Sequence, residues 1–129
     1  VASGGELSRV MLAIKSVMGG DRGKTMVFDE IDAGIGGRVA ELVGRRLKNL
    51  GAGSQIICVT HLPQIAAYGD CHFVVEKYQG DDSTSARIRR LTEKERVEEI
   101  ARMLGGLTIT EKTVARAEEM LRHAQESAH

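Results

Sequence analysis

A chain of 129 residues, 42% of them hydrophobic, can bury one sizeable core and no more, so a single domain is expected. Lys plus Arg and Asp plus Glu are 18 each, which excludes a global field that would draw in nucleic acid or anionic membrane; any such contact has to come from a local patch. No apolar run is long enough to span a bilayer, and the N-terminus has neither the basic flank nor the apolar core of a signal peptide, so a cytoplasmic location and no membrane partner are expected. Cys58 lies inside an apolar run and Cys71 opens a strand-like segment, a placement that favours two buried reduced thiols over a disulfide or half a zinc site.

The chain opens mid-motif on Val1-Ala2-Ser3-Gly4-Gly5-Glu6, with no strand before it, and is expected to be part of something longer. Leu7, Val10, Met11, Ile14, Val17 and Met18 recur at helical spacing and Gly19-Gly20 ends the run, so 5–18 reads as an amphipathic helix. Ser3 and Glu6 have capping-box spacing, which alone would satisfy the first free N–H groups. Two glycines in the first turn ask for more: they cost helix stability but let an anion approach bare N–H groups at the positive end of the helix dipole. Gly23-Lys24-Thr25 invites a phosphate-loop reading, but Met18 stands where the pattern needs glycine, and the segment precedes a strand rather than joining strand to helix. Residues 19–24 therefore read as a plain turn.

Met26-Val27-Phe28-Asp29-Glu30 is an apolar run ending in two carboxylates, and it reads as a strand buried on both faces, as in parallel sheets. Ligands of such sheets sit beyond the strands' carboxyl ends. There one acid can orient Mg²⁺ through its water shell while its neighbour, on the other side of the pleat, activates a water. The alternative is that both acids are merely solvated. Ile31-Asp32-Ala33-Gly34-Ile35-Gly36-Gly37 is a glycine-rich turn into a helix with Val39, Leu42, Val43, Leu47 and Leu50 on its apolar face; Val39 occupies a position where a dinucleotide fingerprint needs Gly or Ala. Gln55-Ile56-Ile57-Cys58-Val59-Thr60 is a second strand, ending at His61. Two parallel strands joined by a helix would bring Asp29, Glu30 and His61 to one rim.

Pro63 suits the first turn of a short helix over 64–68. Residues 71–77 and 84–91 alternate as a hairpin around Gly80-Asp81-Asp82-Ser83, with Arg87, Arg89 and Arg90 on the second strand as either phosphate contacts or charges protecting a solvated edge. Thr92-x-x-Glu95 caps a helix carrying Val97, Ile100, Met103 and Leu104 that Gly105-Gly106 stops, and Thr108-x-x-Glu111 caps a last helix with Val114, Ala117, Leu121 and Ala124 on one face.

Taken in order, Ser3-Gly4-Gly5-Glu6, Val27-Phe28-Asp29-Glu30, Asp32 and Thr60-His61 resemble the signature motif, Walker B, D-loop and switch histidine of ATP-binding-cassette ATPases. Within that class, residues 2–9, 28–37, 60–67 and 96–106 look like the RecN family of bacterial DNA-repair proteins, relatives of the SMC proteins; the resemblance covers essentially the whole chain. It implies an α/β fold: the C-terminal lobe, over 1–129, of an ABC/SMC-type P-loop NTPase head, with a mostly parallel sheet flanked by helices and a β-hairpin after the switch histidine. The family's Walker A lobe and coiled coil are absent from these residues, so this stretch alone is expected to be inactive and its sheet exposed where that lobe would pack.

By the same resemblance, Ser3, Gly4 and Gly5, with Glu6 in the same motif, would meet the γ-phosphate of an ATP held by a second head. Asp29 would assist Mg²⁺, Glu30 would polarise the attacking water, Asp32 would communicate across the dimer and His61 would contact the γ-phosphate. The implied cofactors are ATP and Mg²⁺. The implied partners are the N-terminal lobe of the same head, a second copy through ATP-sandwiched heads, and DNA ends or single-stranded DNA at the nucleoid, in double-strand break repair and recombination. Three other readings compete: a membrane-transporter cassette, a hydrolase using Asp29, Glu30 and His61 as direct metal ligands, and a non-catalytic dimerisation fragment.

Overall fold

The structure, a computed structural model, describes residues 24–29 and 34–126. The elements run β1 (Thr25–Asp29), α1 (Gly37–Leu50), β2 (Gln55–Val59), α2 (Pro63–Ala66), β3 (Phe73–Gln79), β4 (Thr84–Arg90), α3 (Glu93–Gly105) and α4 (Glu111–Glu126). The helix expected over 5–18 lies outside the described residues.

Strand, helix and strand follow one another as the apolar periodicity requires, and β1 pairs with β2 in parallel, Thr25 opposite Gln55 and Asp29 opposite Val59. The register is held at its start by the Gln55 N–H donating to Lys24 O at 3.1 Å. Alternation along the pleat sends Phe28, Ile56 and Cys58 against the core residues of α1. Val27, Ile57 and Val59 are 65%, 46% and 55% exposed. The unbroken apolar run suggested burial on both faces; among the described residues one helix layer covers one face only.

In α1 the buried positions are Ala40, Val43, Gly44 and Leu47, a stripe at i, i+3, i+4 and i+7. Leu42, expected on that face, is exposed. The stripe is turned toward small residues because α2 packs close: a Cβ on Gly44 would stand 2.6 Å from Tyr68 Cδ2 and 3.1 Å from Gln64 O. Ile35, Ala40, Val43, Leu47 and Ile65 form the core beneath the parallel pair.

The hairpin forms with Phe73 opposite Arg90 and Gln79 opposite Thr84, closed by the Gly80 N–H donating to Ser83 O at 2.7 Å. The described sheets are thus one parallel and one antiparallel pair, a mixed α/β arrangement rather than a mostly parallel one. Arg89 is committed to intramolecular pairs with Glu76 and Glu95, tying β4 to the start of α3, and the Arg87 guanidinium sits 5.1 Å from the Tyr78 ring centroid.

Thr92 and Glu95 cap α3 as the spacing predicts: Glu95 N donates to Thr92 Oγ1 at 3.2 Å and Thr92 N to Glu95 Oε1 at 3.0 Å. The last helix is capped differently from expectation. It begins at Glu111, so Thr110 rather than Thr108 immediately precedes it, and Thr113 N donates to Thr110 Oγ1 at 3.2 Å. Ile100 and Ala101 of α3 pack against Ala117 of α4, and α4 is fastened to α1 where His123 Nε2 meets Glu41 Oε1 at 3.2 Å. Neither cysteine is in a disulfide; Cys58 is half-buried, and Cys71 is exposed rather than buried because it lies in the turn before β3.

Candidate functional site

The parallel register decides what reaches the rim. Asp29 is the last residue of β1 and faces Val59, the last of β2, so His61 follows two residues beyond the partner of Asp29, and both side chains are exposed. Parallel strands end at the same edge of their sheet, and this is the edge at which open α/β sheets bind ligands.

His61 is presented by a tight local structure. Leu62 N donates to Thr60 Oγ1 at 3.0 Å, a hydroxyl-closed turn that takes the chain out of the strand. Pro63 then opens α2, where its missing N–H costs nothing. Ile65 N and Ala66 N both donate to Leu62 O, at 3.1 and 3.0 Å, so the turn runs directly into the helix.

After Asp29 the chain is described again from Gly34, whose φ of 77° lies in the left-handed region open to glycine. Gly37 opens α1, and a Cβ there would stand 3.2 Å from Gln64 Nε2. The start of α1 and the helix after β2 therefore lie side by side, next to this rim.

Of the residues singled out by sequence, the structure brings Asp29 and His61 to one edge. Ser3, Gly4, Gly5, Glu6, Glu30 and Asp32 lie outside the described residues. Among the described residues no group of three or more His, Cys, Asp or Glu is placed to hold a metal ion. One exposed carboxylate at a strand end suits Mg²⁺, which keeps much of its water and takes one or two carboxylates together with substrate phosphate.

Sequence reasoning missed a buried side chain that binds the carbonyls at and just after the end of α2. Arg96 of α3 is 6% exposed, and its Nη2 donates to Ala66 O and Ala67 O, each at 3.2 Å, and to Gly69 O. Burial holds its pKa below the ordinary arginine value, against the opposing pull of Glu93 and Asp70. The signal available in sequence was an arginine in register with Ile100 on the apolar face of α3. Burial also lowers the pKa of His72, and the charge of Arg96 adds to that effect.

No family model matches the chain. Among curated proteins it is similar to DNA repair protein RecN of Bacillus subtilis (45% identical over 127 residues), of Xylella fastidiosa (52% over 127 residues) and of Mycobacterium bovis (53% over 128 residues). These matches take in 98%, 98% and 96% of this chain but only 22%, 23% and 22% of the relatives' lengths. Among solved structures it is similar to one from a study of ATP-driven dimerization and DNA-stimulated activation of SMC ATPases, with a TM-score of 0.59, 19% identity, and coverage of 82% of this chain and 64% of the other. That likeness shows an α/β fold of the SMC type. Over nearly its whole length, the chain belongs with the RecN family of DNA repair proteins, as a segment spanning less than a quarter of its relatives.

Proposed function

We propose that the chain is the C-terminal lobe of an ATP-hydrolysing head in a RecN-type DNA repair protein, working on double-strand breaks. The observation that carries this reading is the parallel register that sets Asp29 and His61 at one edge, in a chain 45–53% identical to RecN proteins. Every part of the proposed chemistry then has an owner. Asp29 orients Mg²⁺, which when bound neutralises charge on the phosphates. Glu30, the next residue, takes the proton of the attacking water, and His61 hydrogen-bonds the γ-phosphate oxygen where charge develops. Ser3, Gly4 and Gly5, with Glu6, offer N–H groups to the ATP of a second head, and Asp32 communicates between the two.

On this reading an N-terminal lobe supplies the loop that wraps the phosphates, so the head is completed by that lobe and by a second copy. DNA ends or single-stranded DNA are the proposed macromolecular partner, in the cytoplasm at the nucleoid. A transporter cassette shares the four motifs, but the relatives compared above are all named as DNA repair proteins.

The test is Glu30→Gln in the full-length protein. ATP binding should persist while single-turnover hydrolysis falls roughly 10²- to 10⁴-fold, the usual worth of a positioned general base. Hydrolysis at the unaltered rate would remove Glu30 from the chemistry and this reading with it.

A further inference from the structure

A helix of four residues cannot hold its own position. Nucleating it costs more than its few hydrogen bonds return, so α2 stands where its neighbours put it. It lies at the meeting point of the three apolar clusters: Ile65 belongs to the core under the parallel pair, Ala67 and Tyr68 to the cluster with Ala124, and Ala66 to the packing of α3 on α4. On one side α1 presses against it at Gly44, which has no Cβ to push it away.

On the other side stands Arg96. The carbonyls at the C-terminal end of a helix have no partners inside it; that of Ala66 accepts from Gly69 N at 3.2 Å, and those of Ala66, Ala67 and, just past the helix, Gly69 all converge on Arg96 Nη2. A Cβ at Gly69 would crowd Cys71 O at 3.1 Å but would lie at ordinary contact distance, 3.9 Å, from that nitrogen. A guanidinium taken out of water in this way is held by the carbonyls it binds, all three through Nη2, and the shorter lysine side chain does not carry its nitrogen to the same point.

The link from this anchor to the rim is short. The amides of Ile65 and Ala66 are bonded to Leu62 O, Leu62 N is bonded to Thr60 Oγ1, and His61 lies between Thr60 and Leu62. We propose that Arg96 is a positioning residue for His61, setting the height and direction of its imidazole by gripping the far end of α2. The proposal rests on the reading above, in which His61 meets the γ-phosphate. A misplacement of about 1 Å at a reacting group is enough to cost roughly a hundredfold in rate, so a brace one helix away has leverage on the chemistry.

The experiment measures ATP affinity and single-turnover hydrolysis in the full-length protein for Arg96→Lys, Arg96→Met, His61→Ala and the double variant Arg96→Lys/His61→Ala. Arg96→Lys is expected to slow hydrolysis at least about tenfold and to change the Kd for ATP less than about twofold, since the interaction lost matters in the transition state. In the His61→Ala background the same change should cost less than about twofold more, because residues acting through one another are not additive. Thr60→Val cuts the link at its other end and should show the same pattern; it serves where neither Arg96 variant folds. Equal losses from Arg96→Lys with and without His61 would make Arg96 a structural residue only and overturn the proposal, as would unchanged hydrolysis in both Arg96 variants. Unaltered hydrolysis by His61→Ala alone would instead refute the role given to His61, and the positioning role would fall with it.

Discussion

Gly44→Ala should destabilise the protein although it replaces glycine inside a helix. In an exposed helix interior this change is favourable by up to about 1 kcal/mol, because alanine loses less backbone entropy on folding. At position 44 the new Cβ would lie 2.6 Å from Tyr68 Cδ2, closer than real Cβ atoms come, and 3.1 Å from the carbonyl of Gln64. Carbon atoms pack at about 3.5–4.0 Å, so the ring has to retreat by about 1 Å. It has little room to do so: Tyr68 is 4% exposed and its hydroxyl reaches Glu41 Oε1 at 3.5 Å. The second contact is with backbone, which cannot rotate away.

Overpacking of this sort costs about 1–3 kcal/mol. Set against the helix gain, and with a backbone carbonyl in the way, the net loss should be about 1–2 kcal/mol. Urea denaturation followed by far-UV circular dichroism measures it as a lower midpoint at unchanged slope. In a Tyr68→Ala background the ring is gone and most of the penalty should vanish, a coupling that a double-mutant cycle reads directly. A Gly44→Ala protein more stable than the parent by the full helix gain would show that α1 and α2 do not pack as described.

Ile100 has no exposed surface and sits between α3 and α4, so Ile100→Ala should cost about 2–5 kcal/mol in the same denaturation assay; a loss below about 1 kcal/mol would mean that the site collapses freely or that the two helices separate easily. For His72, burial first and the Arg96 charge second place the pKa below 6.5, so an NMR titration of the ring should show a midpoint under that value, and a midpoint at or above it would contradict the packing of α3 beside His72. The sign for stability follows: the neutral ring is favoured in the folded state, so its contribution is complete above the unfolded pKa of about 6.5 and is lost as pH falls through the lower folded value, a dependence that His72→Gln should abolish.

Much of this protein is written locally. The unbroken apolar runs within 25–29 and 55–59 and the helical periodicity between them require no distant partner to be recognised as strand, helix and strand, because run length and the helical period are local features. The same holds for the Thr92–Glu95 cap, which is made by residues three apart, and for the turn that carries His61 out of β2. From strand order and the handedness of a strand–helix–strand unit it also follows that Asp29 and His61 share an edge. What sequence left open is everything decided by a surface arriving from elsewhere in the chain. Leu42 and Gly44 exchange the roles that hydrophobicity assigns them, since the approach of Tyr68 makes the absence of a Cβ worth more than a leucine. Thr110 displaces Thr108 as the cap, although Thr108 has the capping-box glutamate three residues on, because the start of α4 is set by its packing on α3. Arg96 is the extreme case: its register with Ile100 places it on the apolar face of α3, but its purpose exists only once the carbonyls of residues 66, 67 and 69, nearly thirty positions earlier, have been brought within hydrogen-bond reach by the fold.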